Sequence, residues 1–233
     1  NDAKIIVAGG QESMSNAPYL LDKARTGFKI GHKEAKDHMF LDGLEDAKTG
    51  RLMGEFAQDM VDKENITRED MDAFAIESLM RAKKAIENNA FEAEIAPVTI
   101  KTRKGETTVA TDEQPGNADI DKIPRLRPAF AKDGSVTAAN SSSISDGASA
   151  LVIMKESLAR EKGLTPLARI VGHATHSQHP SEFTIAPVGA LEKLLEKTGW
   201  SADEVDLFEI NEAFAMVTML AMKKLELPHE KVN

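Results

Sequence analysis

Apolar positions along the chain fall into short blocks whose spacing alternates between strand-like and helix-like. Ile5-Ile6-Val7-Ala8 is an apolar run ending in Gly9-Gly10, which predicts a central strand of an α/β sheet leaving into a turn. Residues 14–64 mix glycines, Pro18 and charges without clean periodicity. Thr67-Arg68-Glu69-Asp70 then reads as a capped helix start with acidic residues in the first turn. Met71, Phe74, Ala75, Ser78, Ala82, Ala85 and Ile86 follow at helical spacing, predicting a helix over 68–88 that Asn88-Asn89 ends. Residues 94–100 alternate as a strand does, Lys101 to Gly105 form a basic turn, and 112–135 read as loop around Pro115, Pro124 and Pro128. Ala148–Met154 is continuously apolar, as expected of a strand covered on both faces. Beyond residue 158 the pattern becomes regular alternation. A strand is predicted at 168–172 and a helix from Pro187 that Gly199 stops. Ser201 and Glu204 have capping-box spacing, a strand is predicted at 205–210, and a helix from about Ala213 to Leu225. The class is α/β.

Composition narrows the partners. The chain has 233 residues, with 29 Lys and Arg against 38 Asp and Glu, a net charge of −9. That length is one large domain or two small ones. With 29% charged residues and a mean hydropathy of −0.33, the composition is that of a soluble globular protein, and no apolar run reaches membrane-spanning length. The acidic balance argues against nucleic acid as the main partner. With no cysteine in the chain, thiol chemistry carried by these residues is excluded, as are disulfide scaffolds and zinc ribbons.

Three constellations could carry chemistry. Asn211-Glu212 sits between a predicted strand and a predicted helix, where open α/β sheets bind ligands. An Asn amide there can hold a water or stabilise an oxyanion; equally, Asn with Glu is a common helix cap. The run Thr137-Ala138-Ala139-Asn140-Ser141-Ser142-Ser143, followed by Asp146-Gly147, would let a ligand approach the backbone closely, or it is a plain Ser-rich loop. His173, His176 and His179 invite a metal hypothesis, against which stands an exposed loop before Pro180 with no carboxylate at ligand spacing. No P-loop, GxGxxG or GxSxG is present.

Ile6 to Pro18 resembles the thiolase signature AGGxESMSxAP. Arg127-Pro128-Ala129-Phe130, Gly134-Ser135-Val136-Thr137-Ala138-Ala139-Asn140 and Asp146-Gly147-Ala148 are similar to that family's RPAF, GTVTAGN and NDGA stretches. Asn211-Glu212-Ala213-Phe214-Ala215 matches its NEAFA motif. The motifs stand in the family's order, and Leu41 to Leu44 with Met53-Gly54 is similar to its biosynthetic, acetyl-CoA acetyltransferase branch. The resemblance implies a five-layered αβαβα thiolase fold of two similar halves with an inserted loop domain, incomplete at both ends. On that map 1–13 and 145–157 belong to the first half, 14–144 form the coenzyme-A-binding loop domain, and 158–233 open the second half.

The implied reaction is reversible Claisen condensation of two acetyl-CoA to acetoacetyl-CoA and CoA, with CoA thioesters as substrates and no cofactor or metal. Carried over by residue, Asn211 would hold an oxyanion-hole water and Glu212 would support it, with Ala213 and Phe214 walling the pocket. Ser142 would bond the pantetheine arm, with Ala138, Phe130 and Met53 lining its tunnel. Leu52 stands where a His is frequent, Phe183 where a pocket Met is common, Ala139 and Ser143 where Gly is usual, and Gly116 replaces an Arg after Asp112-Glu113. Arg103, Lys104 and Arg125 are the basic groups available to the anionic ligand. The family's catalytic cysteines and its Gly-His-Pro lie outside this stretch, so the chain is expected to be an internal segment without turnover of its own. A degradative 3-ketoacyl-CoA thiolase and a non-catalytic CoA-binding module are the alternatives. The resemblance further implies a homodimer or homotetramer and a cytoplasmic site, with a mitochondrial one left open.

Overall fold

The computed structural model describes residues 3–233; Asn1 and Asp2, which open the predicted first domain piece, lie outside the described residues. In chain order the elements are β1 (Ile5–Ser13), β2 (Tyr19–Leu21), β3 (Ala35–Asp37), α1 (Met53–Glu64), α2 (Arg68–Glu87), β4 (Val98–Thr102), β5 (Gly105–Val109), α3 (Glu113–Asn117), β6 (Asp146–Met154), α4 (Glu156–Glu161), α5 (Ala186–Thr198) and α6 (Ala215–Leu225). The chain divides into two compact units, one built from the chain up to Phe56 together with Ile144–Val205, the other from Ala57–Ser143 with Asp206–Asn233. No helix among the described residues is long and apolar enough to cross a membrane.

In the first unit β1 and β6 pair antiparallel, Ile5 opposite Met154 and Ser13 opposite Asp146. The strand runs through Gly9-Gly10 instead of turning there. Gly9 permits the pairing: a Cβ on it would fall 2.1 Å from the Ser149 carbonyl oxygen, whereas one on Gly10 would meet nothing within 4 Å. Among the described residues these two strands pair only with each other. The apolar run of β6 is therefore not covered as its pattern predicted; Leu151 is 63% exposed and Val152 64%. At the end of the ladder the Ser15 backbone N–H donates to Asp146 Oδ1 at 2.9 Å and the Ser15 hydroxyl donates to Oδ2. These bonds hold the exposed Asp146 carboxyl below the ordinary carboxylate range.

Helix α5 is as its pattern requires, with Pro187 in its first turn and Gly199 at φ 71° closing it. Glu204 accepts from both the backbone N–H and the hydroxyl of Ser201, completing the predicted cap. The strand predicted at 168–172 does not form. That stretch pairs with no strand among the described residues, and Ile170 is largely exposed.

The second unit carries the larger share of the buried apolar side chains. Met71, Phe74 and Ala75 of α2 are buried with Met216, Val217, Leu220 and Ala221 of α6, and the two helices pack together. Thr67 caps α2 by accepting from the Asp70 backbone N–H. The predicted strand at 94–100 forms later, at 98–102, and hairpins with β5 through the Arg103-Lys104 turn. The strand predicted at 205–210 reduces to one parallel bridge, Phe208 with Val232. Helix α1, within the stretch that looked aperiodic, contributes Ala57, Met60 and Val61 to the buried apolar residues of this unit.

Candidate functional site

The site in the second unit is built outward from α2. Arg68 and Asp72 stand one turn apart on it, and Asp72 is buried at 5% exposure. A carboxylate at that depth needs a donor on each of its oxygens. Arg68 Nε donates to Asp72 Oδ2 at 2.6 Å, while Arg68 Nη2 donates to the carbonyls of Ile123 and Leu126, each at 3.1 Å. The other carboxylate oxygen, Oδ1, accepts from Asn140 Nδ2 at 3.1 Å.

Asn140 uses its whole amide. Nδ2 also donates to the Ser135 carbonyl at 3.2 Å, and Oδ1 accepts from the Thr137 N–H at 2.8 Å. Gln58 of α1 holds the preceding turn, its Oε1 accepting from the backbone N–H groups of Ser135 and Val136 at 2.8 and 3.0 Å. Gly134 makes room for this, since a Cβ there would lie 2.6 Å from Gln58 Oε1. The small-residue run is thus a buttressed loop and not a loose Ser-rich one.

The loop then pairs with the NEAFA stretch. Ala215 N–H donates to the Asn140 carbonyl at 2.9 Å, Ser142 N–H donates to the Ala213 carbonyl at 3.0 Å, and Ser141 bridges Phe214 antiparallel. Phe214 is buried and meets Phe130 edge to face, with centroids 6.2 Å apart. Ser142, Phe130, Ala213 and Phe214 are therefore brought together; Ala138 is exposed, in the same loop.

Helix α6 starts at Ala215, later than predicted, with Phe214 in extended conformation as its cap residue. Asn211 consequently does not cap it. Its side chain is exposed and makes no hydrogen bond among the described residues, which leaves the amide available to a ligand or water. Glu212 is half-buried and its Oε1 accepts from Ser78 Oγ of α2 at 3.0 Å. Burial pushes this carboxyl above its ordinary range; the Ser78 bond and the Arg81 charge oppose that, and Glu209 adds to it.

Leu52, Met53 and Phe183 belong to the first unit. Leu52 donates its N–H to Glu55 Oε2 at 2.7 Å and bridges Glu45; Met53 opens α1; Phe183 is half-buried in the turn at 180–185. Of the histidines, His173 and His179 are exposed as expected and His176 is half-buried. Among the described residues no three His, Asp or Glu side chains converge to hold a metal ion. Two hollows of the second unit, about 580 and 630 Å³, are lined by neither Asn211, Ser142 nor Phe130. The first lies between α2, Phe91, Ile95 and Pro115, the second between α2, α6 and His229.

Asp72 and Gln58 escape the sequence reading, Ser78 enters it only as a helix position, and Asn140 only as one member of a run. The Arg68–Asp72 spacing of four is a visible ion-pair signal. Nothing local shows that Asp72 reaches a residue 68 positions on, or Ser78 one 134 positions on.

The family profile described as "Thiolase, N-terminal domain" matches residues 1–157, and "Thiolase, C-terminal domain" matches 164–233. A probable acetyl-CoA acetyltransferase of Dictyostelium discoideum is 48% identical over 232 residues, 99% of this chain and 56% of that protein. The crystal structure of the Bacillus anthracis acetyl-CoA acetyltransferase superposes with a TM-score of 0.95 at 45% identity, covering 99% of this chain and 59% of the other. That of human mitochondrial 3-ketoacyl-CoA thiolase superposes at 0.91 with 37% identity, covering 100% and 59%. The chain thus spans somewhat more than half the length of these relatives.

Two outcomes test this geometry. Asn140→Ala strands the Asp72 oxygen and the Thr137 N–H, so chemical denaturation should show about 2–4 kcal/mol of lost stability, against less than about 0.5 for Ser142→Ala. Equal small losses would contradict the network. Glu212 binds its proton more tightly folded than unfolded, so its contribution is present below the ordinary carboxylate range and lost as pH rises through the raised value. Glu212→Gln, which still accepts from Ser78, should therefore melt higher than wild type at neutral pH. The gap should narrow as pH falls toward about 4, and a gap constant across that range would refute the assignment.

Proposed function

The chain belongs to the thiolase family, and on that premise we propose that it supplies the coenzyme-A-binding loop and one oxyanion-stabilising group of a thiolase acting on acetyl-CoA and acetoacetyl-CoA. The observation that carries the reading is the pairing of residues 140–142 with 213–215, which sets Ser142, Phe130 and Phe214 beside the stretch holding the unengaged Asn211 amide. Chemically the two sides divide the work. The hydroxyl and small residues meet the pantetheine arm, whose amides need hydrogen bonds and whose methylenes need an apolar wall. The Asn211 amide orients a water toward the thioester oxygen as negative charge develops there.

The chain has no cysteine, so the acylated thiol is supplied by polypeptide outside these 233 residues. Arg103, Lys104 and Arg125 are basic groups of the same unit available to the CoA phosphates in a chain whose net charge is −9. Glu212, held by Ser78, keeps the backbone at Asn211 in place without contacting the substrate.

Leu52 favours a second reading within the same chemistry, thiolysis of longer 3-ketoacyl-CoA, because an apolar side chain replaces the polar one frequent in biosynthetic members. Comparing acetoacetyl-CoA with a longer 3-ketoacyl-CoA as substrates separates the two. In the full-length thiolase polypeptide that carries this chain, Asn211→Ala should lower kcat about a hundredfold with KM for CoA little changed. The 233 residues alone should release no CoA from acetyl-CoA. Unchanged kinetics in the variant, or turnover by the segment alone, would overturn the proposal.

A further inference from the structure

A stripe along one side of α2 holds both flanks of Asn211. Phe74, Ser78 and Arg81 stand at i, i+4 and i+7 on that helix, so their side chains share a face. Ser78 holds the residue after Asn211 through its bond to Glu212. Phe74 and Arg81 reach the segment that pairs with the residues before it. Residues 231–233 run parallel to 208–210. Phe208 N–H donates to the Lys231 carbonyl at 2.7 Å, Asn233 N–H to the Phe208 carbonyl at 2.8 Å, and Ile210 N–H to the Asn233 carbonyl at 2.7 Å. The pairing therefore ends one residue short of Asn211.

In a parallel bridge between Phe208 and Val232, Val232 turns its own N–H and C=O to the opposite edge. Val232 is 2% exposed, so both groups need partners inside the protein. The N–H donates to the His229 carbonyl at 3.2 Å, closing the turn at 229–231. The carbonyl accepts from Arg81 Nη1 at 2.7 Å. Nη1 and Nη2 of the same guanidinium also donate to the His229 carbonyl, each at 3.3 Å. Its Nε donates to Glu77 Oε1 at 2.8 Å, which holds the fork in that plane. The His229 ring is stacked on Phe74, with centroids 5.0 Å and planes 12° apart. A planar guanidinium can serve two carbonyls and a carboxylate at once, whereas an ammonium presents its donors as a point charge.

We propose that Arg81 is a positioning residue for Asn211: by clamping residues 229–232 it fixes the backbone pairing that ends at Ile210, and so the place from which the Asn211 amide points. This rests on the reading of Asn211 as the oxyanion-stabilising group. Arg81 and Ser78 then divide the task, one fixing the chain that enters Asn211 and the other the chain that leaves it. All the residues concerned belong to the second unit.

The test uses the full-length polypeptide and two readouts. In Arg81→Gln, native-state hydrogen exchange at the Phe208 and Ile210 amides should speed up by at least about tenfold, while Ser142 and Ala215 keep their protection. With acetoacetyl-CoA and free CoA as substrates, kcat should fall about tenfold and the KM for CoA should stay unchanged. Arg81→Lys, which keeps the charge without the planar fork, should show at least about a threefold change in both readouts. It carries the comparison should the Gln variant not fold. In an Asn211→Ala background, Arg81→Gln should lower kcat by less than about a further twofold, because the amide it positions is gone. Unchanged exchange overturns the clamp. Faster exchange with unchanged kcat, or an undiminished loss on top of Asn211→Ala, overturns the positioning role and leaves the reading of Asn211 standing. If Asn211→Ala by itself leaves kcat unchanged, that reading falls and this inference with it.

Discussion

A carboxylate as deeply enclosed as that of Asp72 persists only when each of its oxygens is met by a donor, and this constraint organises the second unit. Arg68, one helical turn back, neutralises one oxygen and donates from Nη2 to the carbonyls of Ile123 and Leu126. Asn140 satisfies the other. A side chain with both donor and acceptor is required at that second position. The Asp72 bond fixes which end of the amide points inward, and the opposite end then captures the Thr137 N–H. An aspartate there would set two carboxylates against each other, and an alanine would leave buried groups unmet on both sides.

From that anchor the candidate site follows by backbone geometry alone. Once Asn140 is fixed, its carbonyl presents to Ala215 and the next residues run antiparallel to Ala213 and Phe214. Helix α2 grips both partners of the pair, Asp72 holding the first segment and Ser78 the Glu212 side of the second. The Ser142 hydroxyl and the Asn211 amide, the groups proposed to meet a ligand, are left exposed at the edge. Of those that hold them, Asp72 and Asn140 are buried and hydrogen-bonded to each other, and Ser78 and Glu212 are half-buried and bonded to each other. The first unit uses a lighter version of the same device, with His176 and two lysines strapping a loop to α5.

Local signals read well from the sequence because their physics is local. Thr67 at the start of α2, Gly199 after α5 and the Ser201–Glu204 cap each depend on neighbours within four residues. Helix α1 went unread, because the surrounding glycines and charges obscured Met53, Phe56, Ala57, Met60 and Val61 at helical spacing. Strands fared worse, since an apolar run becomes a strand only when a partner supplies hydrogen bonds. Residues 168–172 have none among the described residues, and 205–210 have one bridge. The motif residues Ser142 and Asn211 could be named from the sequence, but not the reason they are held where they are, because Asp72 and Ser78 lie far from their partners along the chain.

It is the Asp72–Asn140 link, and not the motif residues themselves, that aligns the two segments of the site. Native-state hydrogen exchange at the Ser142 and Ala215 amides, the two donors of the segment pair, tests it most directly. In the wild-type protein both amides should exchange only through openings nearly as costly as unfolding of the whole second unit. In Asp72→Ala both should lose protection together with the Thr137 amide, while amides in the middle of α6 such as Ala221 keep theirs. Loop-like exchange at Ser142 and Ala215 in the wild type, or protection untouched by Asp72→Ala, would contradict the account.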